Sequence, residues 1–192
     1  MNGAVQNAVI VISGMPGSGK STLGRSLSVA LDVPYLDKDE ILERLFETRG
    51  IGDIAWRQEL SRASDEELIR SVQASDGVVV SSFWRSPGTS AASGTAIEWL
   101  AELNRPVVEI YCFCDAETAA SRFISRKRHP GHLDASRSHQ QLLDQLHRLA
   151  EAGPLRVGEL IVVDTRTEPN IEDVAKRIRA RWTSWPASQV GR

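Results

Sequence analysis

"ISGMPGSGKSTLG", residues 12–24, decides the fold. It carries Gly14, Gly19, Lys20 and Ser21 in the spacing G-x-x-x-x-G-K-[ST], after the apolar run "AVIVIS" (8–13) and before an amphipathic stretch, 21–31. A strand, a glycine turn and a helix in that order form a phosphate cradle. The glycines let successive backbone N–H groups point inward, and the helix N-terminus adds the positive end of its dipole. Gly14, Pro16, Gly17, Ser18 and Gly19 are therefore nucleotide-binding positions. Lys20 is placed to reach the β- and γ-phosphates, the Ser21 hydroxyl to ligate Mg2+, and Thr22 to touch the α-phosphate side. A tight turn with no ligand would use Gly17 and Gly19 for backbone geometry alone.

Outward from the loop, continuous apolar runs recur at 33–36, 77–82, 106–113 and 159–164. Apolarity without alternation is that of strands covered on both faces. Helical patterns lie between them at 21–31, 38–48, 54–74, 89–103, 116–126, 138–152 and 171–181. The alternation predicts a three-layer α/β/α sandwich around a five-stranded parallel sheet of P-loop NTPase type. With 192 residues the chain fits one domain, 1–185, and the tail 186–192, rich in small polar residues, is expected to fray.

Composition narrows the function. Hydrophobic residues make up 41% and charged residues 25%, and no apolar run approaches a membrane span, so no membrane partner is expected. "MNGAVQNAVIVISG" lacks the basic start and cleavage site of a signal peptide, which predicts a cytoplasmic protein. A formal charge of -2 gives no global attraction to nucleic acid. Cys112 and Cys114 alternate along one predicted strand and read as small buried hydrophobes.

After the loop comes "VPYLDKDEILERL", with Asp37 and Asp39 just beyond a short second strand. Here the chain resembles small-molecule kinases of the nucleoside-monophosphate-kinase-like group: shikimate and gluconate kinases, chloramphenicol phosphotransferase and the polynucleotide kinase module. The resemblance implies ATP as donor, an acceptor cap over about 38–75, a lid over about 126–137, and an acidic residue that takes the acceptor hydroxyl's proton. An alcohol attacks phosphorus poorly until a base accepts that proton. By its distance from the loop Asp39 takes that role, with Asp37 on magnesium-bound water or the acceptor. One of the pair can instead cap the helix that begins near Glu40. The third strand ends in Ser81 and Ser82, where many relatives of the loop carry an acid, so Ser21 and waters held by Asp37 would carry the ion.

"SRFISRKRHPGH" gathers Arg122, Arg126, Lys127, Arg128, His129 and His132. The resemblance makes this the lid, with Arg122 on the nucleotide side and Arg126 on the transferring phosphate; a solvated helix end is the plainer alternative. Asp115 and Asp164 read as helix or turn starters. In the cap, Arg44, Trp56 and Arg57 are expected to face inward, joined by Trp84 and Arg85. An aromatic beside an arginine suits an anionic sugar acid or a polar ring, although Trp56 can equally be core. His132 is a further acceptor candidate. The resemblance makes "DTRTEP" (164–169) the place where the adenine packs through backbone contacts, with Thr165 and Arg166 as candidates.

The shikimate-kinase likeness stops at the third strand, where a triple glycine is replaced by "SSFWRSPG". Leu42 stands where polynucleotide kinases place an Arg, which speaks against a nucleic-acid acceptor. The leading expectation is transfer of the ATP γ-phosphate to a hydroxyl of a small molecule, whether metabolite, sugar acid or antibiotic. A polynucleotide or nucleoside 5'-hydroxyl kinase is one alternative, and a nucleotide-dependent switch is another. Oligomeric state leaves no mark in the sequence.

Overall fold

A computed structural model describes residues 5–86, 94–126, 129–132 and 138–183. The remainder of the expected lid, with Lys127 and Arg128, and the tail 186–192 lie outside the described residues. Five parallel strands form one sheet: β1 (Val9–Ser13), β2 (Tyr35–Asp37), β3 (Val78–Ser81), β4 (Val107–Phe113) and β5 (Glu159–Asp164). Their order is β2-β3-β1-β4-β5, which puts β1 at the centre, between β3 and β4. The helices are α1 (Lys20–Leu31), α2 (Lys38–Arg49), α3 (Ile54–Ala74), α4 (Glu98–Glu102), α5 (Ala116–Ser125), α6 (His139–Ala152) and α7 (Ile171–Thr183). Among the described residues no helix is long and apolar enough to cross a membrane.

The continuous apolarity of the strands has its cause in two cores. Ile10 and Ile12 join Val108, Ile110, Ile161 and Val163 under Leu23 and Leu27 of α1 and Ile178 of α7. Val9 and Val11 face the other way, joining Val78 and Val80 under Leu68 and Val72 of α3. Every residue of β1 is buried. Two smaller cores complete the fold, one between α5 and α6 with Met15 of the glycine loop, the other between α2 and α3 with Phe46 and Leu60.

One expected helix is shorter in its described part. Of 89–103, residues 94–97 are not helical, α4 covers only Glu98–Glu102, and 87–93 lie outside the described residues. Thr95 is engaged otherwise: its N–H donates to the Phe83 carbonyl, its carbonyl accepts from the Arg85 N–H, and it bridges to Trp84. Its hydroxyl meets Ser82 and donates to Asp65, 2.7 Å away, which also pairs at 2.8 Å with the buried Lys38 ammonium. Backbone bonded to the segment just past β3 and a side chain bonded to Asp65 of α3 leave no helical path through 94–97.

Cys112 sits in the core beneath β1, and burial pushes its thiol up to about 12, leaving it inert near neutral pH. Cys114 lies one residue past the end of β4 and packs instead in the core of α5 and α6, so the two thiols do not share one core.

Candidate active site

The glycine loop joins β1 to α1 with Gly14, Gly17 and Gly19 all at positive φ, at 129°, 81° and 90°. α1 begins after Gly19 with no side-chain cap, so its first N–H groups are open to an anion. Two features suit that loop to phosphate. The Ser18 hydroxyl is buried without a hydrogen-bond partner. A Cβ at Gly14 would stand 2.8 Å from both the Cys112 carbonyl and the Ser18 hydroxyl, so backbone fills the cradle wall. Lys20 folds its ammonium back onto the Gly14 and Met15 carbonyls, each at 3.0 Å.

Gly17 is fixed by its neighbour. A Cβ there would lie 2.1 Å from the Ala119 carbonyl oxygen of α5, at a φ that side chains rarely adopt. Gly17→Ala is expected to lower Tm by several degrees and to weaken nucleotide binding about 10-fold or more, checked by thermal melts with and without nucleotide.

Asp37 gathers the site. As the N-cap of α2 its Oδ1 accepts the Asp39 N–H at 3.0 Å, while its Oδ2 accepts the Ser21 hydroxyl at 2.8 Å and the Tyr35 hydroxyl at 2.7 Å. The capping duty that the sequence left open between the two acids therefore falls to Asp37. Asp39, half-buried in the first turn of α2, is held two residues from the carboxylate that touches the glycine loop. Burial lowers the Lys20 ammonium from its ordinary value, against the raising fields of Asp39 and Asp37 and together with the lowering field of Arg126.

On the other side of the loop, Arg122 of α5 donates to the Thr165 and Arg166 carbonyls at 2.8 Å each. Thr165 is buried, with its hydroxyl on the Phe113 carbonyl at 2.9 Å and its Cβ 3.7 Å from a Cβ built at Gly19. Arg166 pairs with Asp164 at 2.6 Å and lies over the Phe113 ring. Through these hydrogen bonds Arg122 and Thr165 fix the 164–166 turn beside the glycine loop. Asp164 and Asp115 are the turn and helix starters the sequence indicated, Asp115 capping α5 through the Thr118 N–H at 2.7 Å.

Two cap assignments need correction. Arg44 is exposed and pairs with Glu67. Trp84 is buried, with its indole N–H on the Ile12 carbonyl at 2.8 Å, so it is core. Trp56 takes the core alternative, half-buried between α2 and α3 with its indole N–H on the Gly50 carbonyl. Arg57 and Arg85 differ: each has its Nε buried without a hydrogen-bond partner.

His132 is buried, 2.9 Å from Glu43 of α2 and edge-on to Phe46, on whose ring His129 stacks. Gly131 permits this approach, since a Cβ there would lie 2.5 Å from the Phe46 ring. The His-Pro-Gly-His segment thus clasps α2, through His132 on Glu43 and both histidine rings on Phe46. His132→Ala is expected to speed tryptic cleavage at 126–128 several-fold with nucleotide affinity within about 2-fold of wild type. Unchanged proteolysis would remove the clasp from the account.

Among the described residues no three of His, Cys, Asp and Glu come together as a metal cage. Ser21 and Asp37 fit a different arrangement, in which a small cation takes a few protein oxygens alongside phosphates and water.

The AAA domain model matches residues 9–153. The chain belongs to that family. Its fold and relatives are those of P-loop kinases of the nucleoside-monophosphate-kinase-like group. It is 38% identical over 99 residues to the shikimate kinase of Mycobacterium leprae, a match covering 49% of each chain. It is 40% identical over 73 residues to the bifunctional shikimate kinase/3-dehydroquinate synthase of Thermotoga maritima, covering 37% of this chain and 15% of that one. A third match, 31% over 80 residues, is to the cytidylate kinase of Sulfurisphaera tokodaii, covering 38% and 44%. The chain thus spans less than half the length of these curated relatives. Among solved structures, shikimate kinase from Acinetobacter baumannii in complex with shikimate superposes with a TM-score of 0.59 at 21% identity, covering 94% of this chain and 95% of that one. A protein of Chloroflexus aurantiacus superposes with a TM-score of 0.74 at 24% identity, covering 91% and 98%.

Tyr35, Ser81, Glu43 and Glu109 escaped the sequence reading. Glu109 left a signal, a lone acid inside the apolar run "VVEIYCF". Tyr35 and Ser81 look like ordinary strand residues until β2 and β3 are paired.

Proposed function

We propose that the chain is an ATP-dependent phosphotransferase that moves the γ-phosphate to a hydroxyl of a small molecule. The observation that carries this reading is the Asp37 carboxylate, bonded at once to Ser21 of the glycine loop and to the backbone of Asp39. Asp39, half-buried in the first turn of α2, is the second carboxylate, two residues from the acid that accepts the Ser21 hydroxyl. Asp39 accepts the proton of the acceptor hydroxyl. Lys20 leaves the Gly14 and Met15 carbonyls to bind the phosphates, and Arg126, exposed at the end of α5, binds the transferred group. When bound, Mg2+ supplies charge neutralisation between the phosphates; Ser21 and Asp37 are the residues that would hold it. Thr22 and the loop glycines contact the nucleotide, with the 164–166 turn beside its base.

Arg57 and Arg85, each with an unpartnered buried Nε, favour an acceptor that carries an anionic group in addition to its hydroxyl. The name of the Acinetobacter complex, with its hydroxylated acid, agrees with that class. The replacement of the triple glycine by "SSFWRSPG" favours an acid other than shikimate.

Product mass after incubation with ATP and Mg2+ tests this, using sugar acids and other hydroxy acids against neutral sugars, aminoglycosides, amphenicols, nucleosides and 5'-hydroxyl oligonucleotides. A monophosphorylated hydroxy acid is the expected product. A phosphorylated oligonucleotide or nucleoside would move the chain to the alternative kinase class. Slow ATP hydrolysis that no compound stimulates would favour a nucleotide-dependent switch.

A further inference from the structure

The end of β3 lacks an acid, and the structure places another set of groups at that point. In the ladder of β2 and β3, Asp37 stands opposite Ser81. Tyr35, two residues before Asp37, projects to the same side of β2. The Tyr35 hydroxyl is consequently 2.7 Å from Asp37 Oδ2 and 2.7 Å from Ser81 Oγ. A phenol has one proton to give. With that proton on the carboxylate, Ser81 donates to Tyr35, and a chain of hydroxyls runs from β3 through β2 to the acid that accepts the Ser21 hydroxyl.

The ring is held from two sides. A Cβ at Gly24 of α1 would lie 2.4 Å from Tyr35 Cε2, and the Arg25 guanidinium lies 5.5 Å from the ring centre. Ser81 is buried. Both hydroxyls are thus engaged, and the carboxylate they reach is that of Asp37.

We infer that Tyr35 and Ser81 are positioning residues for the divalent cation bound with the nucleotide: they hold the Asp37 carboxylate against Ser21, in the place where β3 supplies no acid. The inference rests on the proposed kinase reading for the presence of the cation. Metal ligands that lose such a partner typically bind about 10 to 100-fold more weakly.

The test measures ATP binding to the full chain by calorimetry, in excess chelator and in Mg2+, so that it needs no acceptor and no turnover. For the wild type, Mg2+ should raise ATP affinity. Tyr35→Phe, which keeps the ring packing, should leave the chelator affinity within about 2-fold while cutting the Mg2+ enhancement about 10-fold. Ser81→Ala should cut it less, in the same direction, and adding it to Tyr35→Phe should bring little further loss because it acts through the phenol. A contact that merely joins two strands would shift both affinities together, so an equal loss in chelator and in Mg2+ overturns the inference. So does a full enhancement in both variants. If Tyr35→Phe does not fold, Ser81→Ala carries the same comparison. A wild type that binds no ATP at all would overturn the kinase reading as well, which separates the two failures.

Discussion

Asp39→Asn loses phosphoryl transfer by about 10² to 10⁴-fold while ATP affinity stays within about 2-fold of wild type. The amide has the carboxylate's shape, so the first turn of α2 and its packing persist. It cannot accept the acceptor's proton. The helix start is secure as well, because the cap is the Asp37 side chain and its contact is with the backbone N–H of residue 39, which the substitution leaves in place. The loss should therefore appear in kcat rather than in the melting temperature or in nucleotide binding. Steady-state rates with the identified acceptor, paired with calorimetric ATP affinity, check it. A variant that transfers at the wild-type rate removes Asp39 as the base, and one that loses ATP affinity in proportion would make Asp39 part of the nucleotide site instead.

The second large effect concerns stability. Glu109 lies on β4 and is fully buried, yet it has no cation beside it among the described contacts. Its carboxylate is satisfied by hydrogen bonds: Oε1 accepts the Ser13 hydroxyl at 2.5 Å and the Leu155 N–H at 2.7 Å, and Oε2 accepts the Arg156 N–H at 2.7 Å and the Val157 N–H at 3.4 Å. It thereby fixes the segment after α6, where Arg156 adopts a φ of 62°, to the last residue of β1. Glu109→Ala removes the acceptor and leaves a hydroxyl and at least two backbone N–H groups buried and unpaired. Each such group costs about 1–3 kcal/mol, so a loss of about 3–5 kcal/mol is expected after partial relaxation. For a chain of this size that is a fall in Tm of about 10 °C or more. Because Ser13 directly precedes Gly14, saturating ATP should recover less stability than in the wild type. Thermal unfolding with and without ATP measures both; a Tm within about 2 °C of wild type would contradict the role given to Glu109.

The parts legible in the sequence and the parts that were not differ in the range of the interactions that make them. The glycine loop is a local signal, since seven consecutive bonds of backbone geometry and two side chains specify it within Gly14–Ser21. The central strands β1 and β3 are legible because both faces of the sheet are covered there, which confines polar residues to the serines that end "AVIVIS" and "GVVVSS". The 54–74 helix matches α3 end to end, as Asp53 caps it through the Trp56 N–H at 2.9 Å. The missed features need partners far along the chain. Tyr35 needs Ser81, His132 needs Glu43, and Glu109 needs Leu155. The expected helix does not run through 94–97 for the same reason, since Thr95 answers to Phe83, Ser82 and Asp65 rather than to its own neighbours. The inward assignments of Arg44 and Trp84 rested on residue type, and residue type does not say which side of a helix or strand end meets the pocket.

The most direct test of the proposed chemistry follows the γ-phosphorus of ATP by 31P NMR in the presence of Mg2+, the full chain and a mixture of hydroxy acids. The account predicts that this phosphorus leaves ATP and reappears as a phosphate monoester on one component, with ADP formed in equal amount. Its appearance only as inorganic phosphate, at a rate indifferent to every hydroxyl compound supplied, would contradict it.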